Sequence, residues 1–153
     1  MSGGSVNPGT GSVTTLIAAA NACIGKNLAQ CAKYFGVSNP NCEWCAWFVR
    51  QCGIKSNMNF GTSNIASQVR GVNGNVSFSA TTPKVGDLAL IDTHGGSSVG
   101  HVGIITAITG NNITTVEGNM SGSVTTSIVK NASYDASGYS STFGRIVYIG
   151  KNS

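Results

Sequence analysis

The apolar residues of this chain change their period partway along, and that change limits the folds open to it. From Val13 to Gly53 they recur at helical spacing, and after Pro83-Lys84-Val85-Gly86 they alternate as in strands. Helices first and an antiparallel sheet of about five strands afterwards make the fold class α+β. At 153 residues one domain is expected, and the 41% hydrophobic content is enough for a core. Residues 1–12, MSGGSVNPGTGS, read as a flexible leader, and 13–153 as the domain.

Within the helical part, Leu16, Ala19 or Ala20, Cys23 and Ile24 fit one helix from Val13, stopped by Gly25. Asn27 to Phe35 fits a second, ended by Gly36. A third is expected to start at Asn39 as N-cap with Pro40 in the first helical position, to gain from the charge of Glu43, and to end at Gly53. It carries Trp44, Phe48 and Cys52 as one buried stripe, with Cys45 in its first or second turn. Residues 55–82 are mixed, with a short helix over Ile65 to Val69. The strands are expected at Asp87 to Asp92, His101 to Thr109, Asn112 to Glu117, Ser123 to Lys130 and Arg145 to Ile149.

The hairpin at Gly110 decides which side chains meet. A three-residue loop, Thr109-Gly110-Asn111, sets His101 opposite Asn119 with Glu117 on the same face. A two-residue loop sets His101 opposite Met120 and turns Glu117 away, and a bulge undoes either count. On the first register the chain offers three groups that cysteine catalysis needs. A helix start and a nearby imidazole turn a thiol into a thiolate nucleophile, and a third polar group fixes the ring. Cys45, His101 and Glu117 or Asn119 fit these roles. The bland alternative is a buried thiol beside a core-edge histidine.

Composition narrows the function. Net charge is +4, from nine Lys and Arg against five Asp and Glu, and the basic residues lie singly. Nucleic-acid binding needs a concentrated basic patch and is not expected; weak attraction to an anionic cell wall suits the charge. No apolar run is long enough to span a membrane, and the first residues lack the features of a signal peptide. Export by another route, release by lysis, carriage on a virion or derivation from a longer protein all remain open. Five cysteines (Cys23, Cys31, Cys42, Cys45, Cys52) leave at least one thiol unpaired in a monomer, the oligomeric state expected. Cys42 and Cys45 form a C-x-x-C pair without a second ligand pair at zinc-site spacing, so no metal and no cofactor is expected. Cys23 and Cys31 read as buried apolar side chains or as a disulfide pair.

Four segments carry a resemblance. Trp44-Cys45-Ala46-Trp47-Phe48-Val49 resembles the W-C-A-x-F-V segment of the CHAP domains, the cysteine, histidine-dependent amidohydrolases/peptidases related to the NlpC/P60 group. Val85-Gly86-Asp87-Leu88 is similar to their P-G-D-L turn, Gly100-His101-Val102-Gly103-Ile104-Ile105 to G-H-V-G-I-V, and Val116-Glu117-Gly118-Asn119 to I-E-G-N. The resemblance implies a papain-like fold and hydrolysis of amide bonds in peptidoglycan. The enzyme would be an N-acetylmuramoyl-L-alanine amidase or a peptide endopeptidase of endolysin, tail-lysin or autolysin type, acting at the bacterial cell wall. It also implies Cys45 as nucleophile, His101 as base and acid, Glu117 as orienting group, and Asn119 as an alternative orienter or a holder of substrate near the oxyanion. Asn41 is a weaker oxyanion candidate.

Some CHAP proteins have a C-T-W-Y segment led by the nucleophile, which offers Cys42 instead. Others bind calcium through an acidic loop ahead of the cysteine, but residues 25–41 hold no Asp or Glu. Trp44 reads as core, Trp47 as a residue that lines the cleft, His94 as a loop residue and Asp87 as the cap of a turn. Two other functions stay open: a wall-binding module without turnover on the same fold, and an antibacterial toxin hydrolase.

Overall fold

A computed structural model of the chain describes residues 12–58, 76–79, 82–95 and 99–152. The expected leader and the expected helix over Ile65 to Val69 lie outside the described residues, apart from Ser12. Three helices and a six-stranded antiparallel sheet are found among the described residues: α1 (Val13–Ala22), α2 (Leu28–Phe35), α3 (Cys45–Lys55), β1 (Val76–Ser79), β2 (Leu88–Asp92), β3 (His101–Thr109), β4 (Asn112–Met120), β5 (Ile128–Asp135) and β6 (Arg145–Asn152). Strand order is β1-β6-β2-β3-β4-β5. The helices pack on the sheet in the papain-like α+β arrangement that the sequence implies.

Local chemistry starts the first two helices where the sequence expects them, although α1 ends at Ala22, ahead of Cys23, Ile24 and the expected stop at Gly25. Ser12 caps α1 by accepting from the Thr15 N–H. At α2, Asn27 and Gln30 form a reciprocal capping box, and Gly36 in the left-handed region closes the far end. The third helix departs at both ends. Asn39 does not cap it: its Oδ1 accepts from the Asn41 N–H at 2.8 Å, and Asn41 turns left-handed at φ 51. That local turn competes with helix formation, so α3 begins at Cys45 with Trp44 as its N-cap. Gly53 does not end it either. Asn57, at φ 62, takes the left-handed closing position, and the Met58 N–H reaches back to the Gly53 carbonyl at 2.7 Å.

The sheet is buried on both faces, as the run of five buried residues in β2 shows. Leu88, Leu90, Val102, Ile104, Val116 and Val129 join the helices in one core that holds the Trp44, Phe48 and Cys52 stripe. Ala89, Ile91, Ile105, Ile113, Tyr134, Ile146 and Ile149 form a second cluster across the sheet, with Ala136 and Tyr139 from the β5–β6 connection packed on it. Helix α3 lies against β3 and β4, which brings its first residue to the end of the sheet where β3 begins.

The strand expected at Ser123 to Lys130 instead runs from Ile128 to Asp135. Residues 123–127 form a turn in which the Ser123 N–H donates to Thr126 Oγ1 (2.9 Å) and the Ser127 N–H to the Ser123 carbonyl (2.8 Å). Hydroxyl side chains here offer the backbone bonds that a strand would otherwise take. The sequence reading did not include β1, which pairs with β6 at the sheet edge.

Candidate active site

The β3–β4 hairpin has a two-residue loop, with Thr109 paired to Asn112 and Ile108 to Ile113. A shift between Ile105 and Ala107 then adds one residue to β3, and beyond it Ile105 pairs with Thr115 and Ile104 with Val116. The bulge thus restores the register of a three-residue loop, in which His101 and Glu117 share a face. Their side chains meet at 3.0 Å, His101 Nε2 to Glu117 Oε1.

Glu117 reaches the ring by lying over Gly103, where an added Cβ would come within 2.5 Å of Glu117 Cγ. The carboxylate is fully buried, and the surrounding side chains satisfy it. Its Oε2 accepts from Thr115 Oγ1 at 2.5 Å and from Tyr134 Oη at 2.8 Å. Burial and then the Glu117 charge and hydrogen bond push the Tyr134 phenol well above its usual range, so it remains a donor.

Cys45 is the first residue of α3 and lines the same cavity as the His101 ring, whose protonated form it favours. With Nε2 engaged by Glu117, Nδ1 is the ring nitrogen left for the thiol. Burial of the ring opposes its protonation, but bonds to Cys45 and Glu117 and their negative charges outweigh it and push the pKa up to about 10. No side chain caps α3, so the Cys45 N–H is one of the helix-start donors without an intrahelical acceptor.

Cys45, His101 and Asn119 line one cavity of about 270 Å³ together with Glu43, Thr93, Gly100 and Phe143. Phe143 is 40% exposed and sets its ring edge-on to His101, centroids 5.3 Å apart. Asn119 is left-handed at φ 61 and sits where the β4–β5 register shifts between Glu117 and Met120. Asparagine tolerates that backbone better than other non-glycine residues.

Other candidates from the sequence lie elsewhere. Cys42 is exposed on a bend and, like Asn41, is absent from the cavity lining. Trp47 is a correction: it is 5% exposed and packs edge-on against Phe35 and Trp44, in the core rather than the cleft. Trp44 is core, as expected. His94 is an exposed loop residue, its N–H donating to Asp92 Oδ1, and Asp87 closes its turn by accepting from the Lys84 N–H. Cys23, Cys31 and Cys52 are free and buried. Thr115, Tyr134, Ser127 and Phe143 escaped the sequence reading; Thr115, two residues before Glu117 on the same strand face, was the one with a signal.

Comparison with known proteins follows the same lines. No curated protein sequence matches the chain. Among solved structures it is similar to that of Ly7917, with a TM-score of 0.54 and 15% identity over 92% of this chain and 62% of that one. It is also similar to Ly7917 with the hydrolyzing product of MDP, with a TM-score of 0.57 and 19% identity over 92% and 63%. The chain therefore spans less than two thirds of the length of those structures, and likeness at such identity speaks for the fold. The model of the CHAP domain matches residues 27–119, well over half of the chain and a span that runs from the cap of α2 to Asn119; the chain belongs to the CHAP domain family.

Proposed function

We propose that this protein is a cysteine-dependent hydrolase of amide bonds in bacterial peptidoglycan. The observation that carries the reading is the Cys45 thiol at the start of α3, sharing one cavity with an imidazole that a buried carboxylate holds at 3.0 Å. Family membership and the likeness to a protein crystallised with the hydrolyzing product of MDP support the choice of substrate.

In this reading Cys45 Sγ attacks the amide carbonyl, and charge gathers on its oxygen. The Cys45 N–H and the Asn119 side-chain amide are the donors aimed at that charge. His101 gives its proton to the departing amine and then takes one from the water that cleaves the thioester. Glu117 keeps the ring turned toward the thiol and stabilises its charged form. The bond is that of an N-acetylmuramoyl-L-alanine amidase or of a peptide endopeptidase, and the protein acts at the wall as a lytic enzyme of endolysin, tail-lysin or autolysin type. It works as a monomer and without a cofactor.

Turbidity loss of purified cell walls tests the proposal. Cys45→Ala is expected to slow lysis by about three orders of magnitude or more, and Cys42→Ala to leave it within about twofold, as expected of a surface substitution. Equal lysis by wild type and Cys45→Ala would overturn it. Mass spectrometry of the released muropeptides then reads the bond from the new termini.

A further inference from the structure

An asparagine can present either end of its amide to a cavity, and the two ends have opposite chemistry: the oxygen accepts, the nitrogen donates. Two buried side chains, Trp44 and Ser127, restrict that freedom in Asn119. The indole of Trp44 has a donor and no acceptor, and its Nε1–H points at Ser127 Oγ at 2.9 Å. Ser127 therefore accepts from Trp44 and has a single proton of its own to place. Its nearer acceptor is Asn119 Oδ1 at 2.9 Å, against 3.4 Å to the Val124 carbonyl. Both Trp44 and Ser127 are fully buried, so water does not replace either partner.

We infer that Ser127, itself aligned by Trp44, is a positioning residue that fixes the Asn119 amide with its oxygen inward, so that its NH₂ faces the cavity shared with Cys45 and His101. The inference rests on the proposed hydrolytic function for its consequence, and on the hydrogen-bond chain alone for its geometry. Direction is passed along the chain by donor and acceptor capacity. Trp44 can only give, Ser127 gives its one proton to the nearer acceptor, Asn119 Oδ1, and the end of Asn119 left for the substrate is the donating one. That end suits the developing negative charge on an amide oxygen. It repels no part of the thiolate's attack, which an inward-facing nitrogen and an outward-facing oxygen would do.

A mutant cycle tests it. Asn119→Gly removes the amide and suits the left-handed backbone, so it is the better truncation than alanine. It is expected to lower kcat by about 100-fold, the scale of one lost oxyanion donor. Ser127→Ala is expected to lower kcat by about tenfold or more, with KM within about twofold, while Ser127→Ala added to Asn119→Gly costs less than about twofold further. Full activity of Ser127→Ala, or losses that multiply in the double variant, would overturn the inference.

A second readout does not depend on activity. The Trp44 indole proton is expected to exchange slowly with solvent in the wild type and at least about tenfold faster in Ser127→Ala. Rapid exchange in the wild type would show that the chain of bonds does not form. Slow exchange in a wild type that hydrolyses no peptidoglycan would instead count against the proposed function and leave the geometry standing.

Discussion

Glu117 is the residue on which the site's geometry depends, and its place depends on a neighbour with no side chain. Any substituent on Gly103 meets Glu117 Cγ, and the carboxylate has nowhere to retreat because Thr115 and Tyr134 hold its other oxygen. Gly103→Ala is therefore expected to destabilise the protein by about 1–3 kcal/mol, the usual cost of overpacking, and to slow hydrolysis by separating Glu117 from His101. Urea denaturation and a rate assay on cell walls check this; an unchanged midpoint with full activity would show that the carboxylate has room to move. At this scale the sequence was informative about the candidate reacting groups and silent about their support. Cys45, His101, Glu117 and Asn119 stand in recognisable local segments. Tyr134 and Ser127 reach them from β5 and the turn before it, so their roles follow from a strand register that no local pattern states.

Between elements, the decisive contact is the close approach of α3 to β4. A Cβ on Gly118 would come within 2.9 Å of Phe48 Cβ and 3.0 Å of Trp44 Cζ3. Gly118→Ala is expected to push the helix outward, to cost about 1–3 kcal/mol, and to carry Cys45 away from His101, which lies on the neighbouring strand. Thermal denaturation measures the first effect and the rate of Cys45 alkylation by iodoacetamide the second. A wild-type alkylation rate in the variant would mean that the helix start does not follow its packing. Element boundaries were legible where local chemistry works toward the expected end, as the side chains of Ser12 and Asn27 and the left-handed backbone of Gly36 do at α1 and α2. They were misread where the same chemistry serves another purpose. Asn39 is engaged by Asn41, and the hydroxyls of residues 123–127 close a turn in a stretch that reads as a strand. The hairpin was a subtler case: the loop is one residue shorter than the register required, and the bulge before Ala107 makes up the difference.

For the molecule as a whole, the buried His101 ring, whose protonated form Cys45 and Glu117 both favour, couples stability to pH. The ring's pKa rises from 6.5 to about 10 on folding, so the folded state holds the proton more tightly than the unfolded chain. The contribution is fully present below pH 6.5 and is lost as pH rises through about 10. The stability advantage of the wild type over His101→Gln is expected to shrink steadily across that window, as read from denaturant midpoints at several pH values. A constant difference would mean that the ring does not hold its proton in the native state. The fold class was legible at this scale because the switch of apolar period at residue 85 is strong, whereas the burial of both sheet faces is a property of assembly.

The two sides of the candidate site belong to different layers, the sulfur to a helix and the imidazole to the sheet behind it. Neither layer holds both, so the cavity they share exists only once α3 is packed on β3 and β4. Any chemistry that needs the two together therefore begins with that packing.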